Sequence, residues 1–449
     1  MNQKWTLHVE NFARIKEADI EISPLMCFIG DNNSGKSYMM SLLWGIIANG
    51  HMFFNSSQHC IDTEEYKKCN EWLLENIGET VNVTNDVGNI YASWFNKILK
   101  VHKVKLLRKI FNYQIDCEKI EICNYFVTKE WNIILKDESD HGDYGYEPIN
   151  KKSFCIKVKR DSKESLFISN FLICWNLLMF GLTRIRNSLE KKETPLYLPA
   201  SRTGFILARR EIFNKSLDVT YSLPDEDSEF QETLTAPYIQ FLKFLNNLND
   251  SKEINGGDRG TLIKFLENNI VNGNVRVKNK GKVIRYTPDD MNGIELPMSI
   301  TSSVVTEISP FLLMLNTKVL FRLLIIEEPE AHLHPALQKK IAQLLIKFVH
   351  NGIPIWITTH SDTILQHFNN MIKLKNRLKQ DRDELLKQFN YTKDDLLSPD
   401  EIKLYQFTRE KNFTIIEEPP LKKYGFVVHS FNKAIDELSK EIFAFQEDD

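Results

Sequence analysis

The sequence predicts an α/β fold: a mostly parallel sheet alternating with helices, led in by an antiparallel N-terminal sheet and interrupted by a mainly helical insertion. Three observations carry that expectation. From residue 300 onward the strand-like runs LLIIEE and PIWITTH alternate with segments of helical period over 335–350 and 361–370, an order that makes neighbouring strands parallel. Near the N-terminus the continuous apolar run LMCFIG meets a glycine-containing turn and then a helical stretch over 36–50. Between these two regions, residues 51–190 mix aromatic and charged residues without a clean period.

Taken in order, LHVENF and IKEADIEI carry the partial alternation of half-buried strands, and LMCFIG that of a strand buried on both faces. The helix over 36–50 is apolar at Met39, Met40, Leu42, Leu43, Ile46 and Ile47. LFISNFLICWNLLMFGLTRIRNSLEKK reads as one helix, and DESDHGDYGYEP (137–148) as a polar connector. YLPASRTG (197–204) is a strand followed by a turn, and ETLTAPYIQFLKFLNNLNDS and TLIKFLENNIV are helical. VNGNVRVKNKGKVIRYTPDD (271–290) has small turn residues between β-rich arms, a hairpin pattern. The expected units are 1–50 with the glycine turn, 51–190 as the insertion, 191–300 as the return with the hairpin, and 301–449 as the second half of the sheet with a helical tail.

Composition narrows the function classes. The chain has 449 residues, long enough for two or three domains, and its 42% hydrophobic and 26% charged content suits a folded globular protein. A net charge of −3 supplies no global attraction to nucleic acid. The 7 cysteines are scattered and form no C-x-x-C pair, which argues against a zinc site and fits a reducing cytoplasm. No signal-peptide core opens the chain, and the most apolar run, FLICWNLLMFGL, is too short to span a bilayer.

The residues Gly30, Asp31, Asn32, Asn33, Ser34, Gly35, Lys36 and Ser37 fit G-x-x-x-x-G-K-[ST] at a strand-to-helix turn. Each part has a task on a triphosphate. Loop amides and the helix N-terminus face the phosphates, Gly35 permits close approach, Lys36 neutralises the terminal oxygens and the Ser37 hydroxyl ligates Mg²⁺. ATP and Mg²⁺ are therefore the expected substrate and metal. The buried-strand pattern LLIIEE ends in Glu327 and Glu328, where α/β sheets bind ligands. Glu327 suits support of the Mg²⁺ shell and Glu328 polarisation of the attacking water. A solvated strand end is the alternative for both. The next strand, PIWITTH, ends in His360, which can reach the γ-phosphate or its water, or can simply cap the strand.

Order and spacing resemble the ABC-type ATPase heads of recombination and chromosome-organising enzymes. More narrowly, they resemble the OLD-like AAA ATPases of bacterial phage-defence operons, as in the two-component systems Septu and PARIS. The segments that carry the resemblance are NFARIKEADIEI, FIGDNNSGKS, YLPASRTG, MSITSSVVTEISPFLLML, LLIIEEPEAHLHP and ITTHSD. The resemblance implies an ABC-type P-loop NTPase head that dimerises face to face over two ATP molecules, or assembles as a higher even-numbered oligomer. It also implies that a signature segment, here Ser299 to Glu307, reaches the nucleotide of the other head. Ser302 and Ser303 then stand at the γ-phosphate, although no glycine follows them and a plain helix N-cap explains them as well. Glu330 to His334 falls where the family's D-loop crosses between heads. Arg202 is either an inter-subunit or phosphate contact or a structural ion pair, and Gln114 is a Q-loop candidate by elimination only.

The family's larger members carry a Toprim nuclease after the ATPase, and too few residues follow ITTHSD here for such a domain. The expected role is accordingly an ATP-hydrolysing sensor or scaffold acting with a separately encoded effector, a nuclease or toxin, in phage defence. The rivals are a DNA-binding repair ATPase and an ATP-locked scaffold with negligible turnover. KVHKVKLLRKIF, KKSFCIKVKR and VRVKNKGKVIR are the basic stretches available to nucleic acid. Asp394, Asp395, Asp400 and Glu401 read as a helix N-cap or a solvated face rather than as a metal site.

Overall fold

The computed structural model describes residues 1–54, 58–138, 145–150, 152–183, 193–209, 211–212, 234–251, 256–281, 283–317, 321–422, 425–428, 439–441 and 444–445. Its centre is a nine-stranded sheet. In chain order the strands are β1 Gln3–Phe12, β2 Ile15–Glu21, β3 Leu25–Gly30, β4 Lys119–Val127, β5 Thr194–Leu198, β6 Phe321–Glu327, β7 Ile355–Thr358, β8 Ile402–Arg409 and β9 Thr414–Glu417. Across the sheet the order is β4-β1-β2-β9-β8-β3-β7-β6-β5. The block β8-β3-β7-β6-β5 is parallel throughout, whereas β1 pairs antiparallel with β2 and β4, and β8 with β9.

Alternation along the parallel strands divides two cores. Met26 and Phe28 of β3, Leu323 and Ile325 of β6 and Trp356 of β7 face one side. Leu25, Cys27 and Ile29, Leu324 and Ile326, and Ile355 and Ile357 face the other. Because side chains alternate with period 2, a strand covered on both faces reads as an unbroken apolar run, the pattern that LMCFIG and LLII displayed. On the first face lie α1 Lys36–Asn49, α2 Asn85–Phe111 and α3 Lys163–Met179. The second face is covered by α4 Ala236–Asn246, α5 Ser303–Asn316, α6 Pro335–His350 and α7 Asp362–Lys375.

Residues 51–190 do not stand apart from the sheet. Trp94, Phe95 and Trp175 share one core with Trp5 and Leu43. This region also supplies more strand than its composition announces. β4 extends the main sheet, and Thr80–Asn82, Asn132–Asp137, Ser153–Val158 and Gly145–Asn150 form a four-stranded sheet of their own. The helix expected over 166–192 ends at Met179, where Phe180 leaves helical geometry and Gly181 follows at φ 83°. Residues 184–192 of that stretch lie outside the described residues. The hairpin expected over 271–290 is present, with Gly273–Lys278 antiparallel to Val283–Pro288.

The C-terminal tail holds helix over Lys379–Gln388 but also contributes two strands that its expected helical form did not include. β8 and β9 come from it and join the parallel block to the antiparallel wing, β8 beside β3 and β9 beside β2. IKLYQFTR places Tyr405 and Phe407 in one core and Ile402 and Leu404 in the other. That alternation was the available signal, masked by the helix-start chemistry just before it. Two of the acidic residues there are caps: Thr392 with Asp395 and Ser398 with Glu401 form capping boxes on two short 3-10 turns, while Asp394 and Asp400 are exposed. Most of FNKAIDELSKEIFAF lies outside the described residues.

Candidate functional site

β3 hands the chain to α1 through residues 30–35, and this connection is shaped by backbone close approach. Gly30 sits at φ 124°, and a Cβ there would come 2.0 Å from the Phe407 carbonyl oxygen on β8. Only glycine fits. The Asp31 amide donates to that same carbonyl at 3.2 Å, and the Arg409 amide donates to Asp31 Oδ2 at 2.9 Å. The tail strand therefore braces the loop from outside. Within it, Ser34 Oγ donates to the Asp31 carbonyl at 2.7 Å, Asn33 takes φ 57° and Gly35 φ 96° as the cap of α1. In the first turn of α1 the amides of Lys36, Ser37 and Tyr38 have no partner within the helix, and no side chain caps it.

The Lys36 ammonium is buried and curls back to donate to the carbonyls of Gly30 at 3.0 Å and Asp31 at 2.7 Å. Among the described residues no carboxylate lies in ion-pair contact with it. Burial depresses its pKa to about 8, while Glu328, then Asp31 and Glu330, pull in the other direction. A cation short of counter-charge, facing free amides at a helix N-terminus, is a receptor for an anion.

The strand register brings the carboxylates to the same edge. Thr358 of β7 pairs with Phe28 of β3 on one side and Glu327 of β6 on the other. Glu327 is buried, with every carboxylate oxygen engaged: Oε1 accepts from the Tyr197 hydroxyl at 2.8 Å, and Oε2 from the Tyr238 hydroxyl at 3.0 Å and the Ala200 amide at 3.2 Å. It lines a cavity of about 430 Å³ together with Ser37 and Ser41, walled by Tyr38, Phe111 and Leu234. Tyr113 and Ile115 line it too, and Gln114 between them is exposed. Glu328 is half-buried and adopts φ 44°, a left-handed conformation uncommon outside glycine and asparagine. Its amide donates to the Thr358 carbonyl at 2.9 Å.

His360 stands exposed just past β7. Partial desolvation, then the charge of Lys36, hold its pKa below the usual imidazole value, so the ring is neutral at pH 7. Glu330, expected at a crossing between heads, turns inward instead. Its Oε1 accepts from the His360 amide at 2.6 Å and from Thr359 Oγ1 at 2.8 Å, and burial raises its pKa. His334, at the end of the same segment, caps α6 through Nδ1.

Ser302 and Ser303 are not brought to this edge within one chain. Ser302 is the N-cap of α5, accepting from the Val305 amide, and both serines are exposed. Ser302 lines a separate cavity with Ile300, Asp289 and Leu337 that shares no residue with the one holding Ser37 and Glu327. Deeper in α5, Pro310 has no N–H for the Thr306 carbonyl, and Ser309 Oγ supplies the missing donor at 2.8 Å.

Of the two readings of Arg202, the structure contains the ion pair. Its guanidinium is fully buried against the Glu307 carboxylate of α5. Tyr197 and Tyr238, which with the Ala200 amide form the three donors around Glu327, escaped the sequence reading. Tyr197 lies in the YLPASRTG segment, which singled out the region; nothing local marks Tyr238. Among the described residues no His, Cys, Asp and Glu cluster forms a self-contained metal site. Nor does any described helix have the length and apolarity to cross a membrane.

A family model described as AAA ATPase domain matches residues 5–365. No curated protein matches the chain. Among solved structures, similarity extends to an SMC head bound to the C-winged helix domain of ScpA, with 11% identity and a TM-score of 0.36 over 93% of this chain and 98% of that one. The SMC head domain from Thermotoga maritima matches with 10% identity and a TM-score of 0.33, covering 94% of this chain and all (100%) of that one. A Smc head domain with an extended coiled coil, bound to the C-terminal domain of ScpA derived from Pyrococcus furiosus, gives 10% identity and 0.33 over 97% and 100%.

Proposed function

The chain belongs to the family of AAA ATPase domains, and from that premise we propose that it binds and hydrolyses ATP with Mg²⁺ at the edge formed by residues 30–37, Glu327, Glu328 and His360. The observation that carries the reading is the buried Lys36 ammonium, bonded only to carbonyls and facing free amides beside two adjacent carboxylates. An incoming polyphosphate supplies the missing counter-charge and the missing acceptors together.

The donor set suits Mg²⁺. Ser37 and Glu327 line one cavity, and three hydrogen bonds to Glu327 leave one of its roughly four acceptor positions for a water of the metal's shell. Bound there, the metal would offset charge on the transferred phosphoryl oxygens. Glu328, less buried and unencumbered at its carboxylate, accepts a proton from and orients the attacking water. Neutral His360 donates to or accepts from that water or the γ-phosphate without adding a competing cation.

In this reading the exposed Ser302 and Ser303 complete the nucleotide site of a second copy, where two hydroxyls at a helix N-terminus favour an anion. Closing and reopening of that dimer would signal to a separately encoded nuclease or toxin in antiviral defence. Support for this wider role comes from the order of the YLPASRTG and SITSSVV segments around the ATPase motifs. The test has two parts. Lys36→Ala is expected to abolish ATP binding, and Glu328→Gln to retain ATP, lose turnover at least roughly a hundredfold, and accumulate dimer. Retained turnover in Glu328→Gln removes the assigned base, and retained binding in Lys36→Ala removes the site. For the wider role, unchanged phage sensitivity on deletion of the gene sinks the defence assignment.

A further inference from the structure

The ATPase reading leaves one buried group without a task. Arg202 opens the short helix Arg202–Leu207 just after β5, and its guanidinium is fully buried. Nη1 donates to the carbonyls of Glu327 at 2.6 Å and Pro199 at 3.2 Å, and Nη2 donates to the carbonyl of Glu328 at 2.9 Å. Its remaining bonds go to α5: Nε donates to the Glu307 carbonyl at 3.4 Å, and the guanidinium pairs with the Glu307 carboxylate, which also accepts from Thr203 Oγ1. One planar cation thus joins three elements: the end of β5, the twin-glutamate turn and the second turn of the helix that Ser302 caps.

We propose that Arg202 is a positioning residue for hydrolysis: its bonds to two successive carbonyls hold Glu328 in its left-handed conformation, and its pairing with Glu307 ties that conformation to the seat of α5. The inference rests on Glu328 being the water-orienting group. In extended backbone successive carbonyls point to opposite sides; the φ of 44° at Glu328 ends the extended run of β6, and the two carbonyls there meet one guanidinium. A glutamate there is strained and persists because its surroundings over-determine it. The Thr358 carbonyl holds the amide side of Glu328 and Arg202 the carbonyl side, so both peptide groups flanking its Cα are fixed. With the backbone fixed, the carboxylate is kept within electrostatic reach of the Lys36 ammonium. Without Arg202 the turn can relax, and the base swings off the water while the phosphate cradle, built from other residues, stays intact. Lysine cannot replace it, since a single ammonium cannot bond both carbonyls and reach Glu307 in one plane.

The test uses the full chain and separates turnover from nucleotide affinity. Arg202→Lys is expected to lower kcat at least tenfold while Mg·ATP affinity, read with a fluorescent ATP analogue, stays within threefold. Thr203→Ser, which keeps a hydroxyl for Glu307, serves as the reference for near-normal turnover. A purely structural role would move affinity and thermal midpoint together with kcat. Unchanged kcat in Arg202→Lys, or affinity falling in step with kcat, overturns the proposal. If Arg202→Lys fails to fold, Glu307→Gln decides: a kcat loss with intact affinity supports the tie to α5, and wild-type turnover overturns it. No ATP turnover in the wild-type chain, or full turnover in Glu328→Gln, would instead defeat the underlying ATPase reading, an outcome distinct from a negative result at Arg202 alone.

Discussion

Binding of ATP should depend on pH above neutrality through Lys36. In the free protein its pKa is depressed to about 8, mainly by burial. Bound phosphates restore the counter-charge and lift that pKa back toward or beyond its ordinary value near 10.5. The free state therefore loses the proton first, and binding takes one up between the two pKa values. At pH 7 the free protein is almost fully protonated and no cost arises. At pH 9 only roughly a tenth of the free protein keeps its ammonium, so Kd rises about tenfold, equivalent to ~1.4 kcal/mol. Coordination of Mg²⁺ lowers the last pKa of the γ-phosphate, so Mg·ATP is already fully ionised in this window. The assay is isothermal titration calorimetry at pH 7, 8 and 9 in buffers of different ionisation enthalpy. Proton uptake on binding should be about 0.5 at pH 8 and close to 0.9 at pH 9. Lys36→Met should bind weakly with no such pH dependence. A wild-type Kd that is flat from pH 7 to 9, with no proton uptake, would refute the picture of a buried ammonium waiting for its counter-charge.

Three further predictions concern the frame around the site. Gly30→Ala forces a Cβ into the Phe407 carbonyl at an unfavourable φ and should cost about 3 kcal/mol or more, seen as a large fall in thermal midpoint; an unchanged midpoint would contradict the close packing of β3 on β8. Phe407→Ala removes a fully buried ring 5.0 Å from that of Phe28, and chemical denaturation should register a loss of about 3–5 kcal/mol; a loss within error would show that the tail is not part of the core. Tyr197→Phe deletes one of three donors to Glu327 and should weaken Mg²⁺ activation of turnover roughly tenfold with little change in ATP affinity. Identical Mg²⁺ dependence would separate Glu327 from the metal.

How much of this was legible in the chain differs from residue to residue, and the difference follows sequence distance. The loop around Gly35 and Lys36 was readable because its chemistry is contiguous: an apolar strand, a glycine turn and a helix lie within about twenty residues and need no distant partner to be recognised. Glu327 and His360 were readable as strand ends for the same reason. The tail was misjudged because the capping boxes at Thr392 and Ser398 announce helix starts, yet each opens only one 3-10 turn. The alternation in IKLYQFTR that follows gains its meaning from pairing with β3, almost 380 residues earlier, where Tyr405 meets Phe28. A strand that short commits to a sheet through its neighbour rather than through its own propensity.

By itself, the sequence determined the glycine loop between β3 and α1, the strands that end in carboxylates and histidine, and the alternation that makes a parallel sheet, since periodicity and turn chemistry are properties of adjacent residues. Tertiary structure alone decided the rest: that Glu327 is held by Tyr197 and Tyr238, that Arg202 is an internal clamp on the turn at Glu328, that Glu330 faces His360, and that β8 braces the loop at Gly30. Each of these is a contact between groups far apart along the chain. Whether a guanidinium meets a phosphate or a buried carboxylate is settled by which surfaces remain open once the two cores have closed, and no local pattern encodes that.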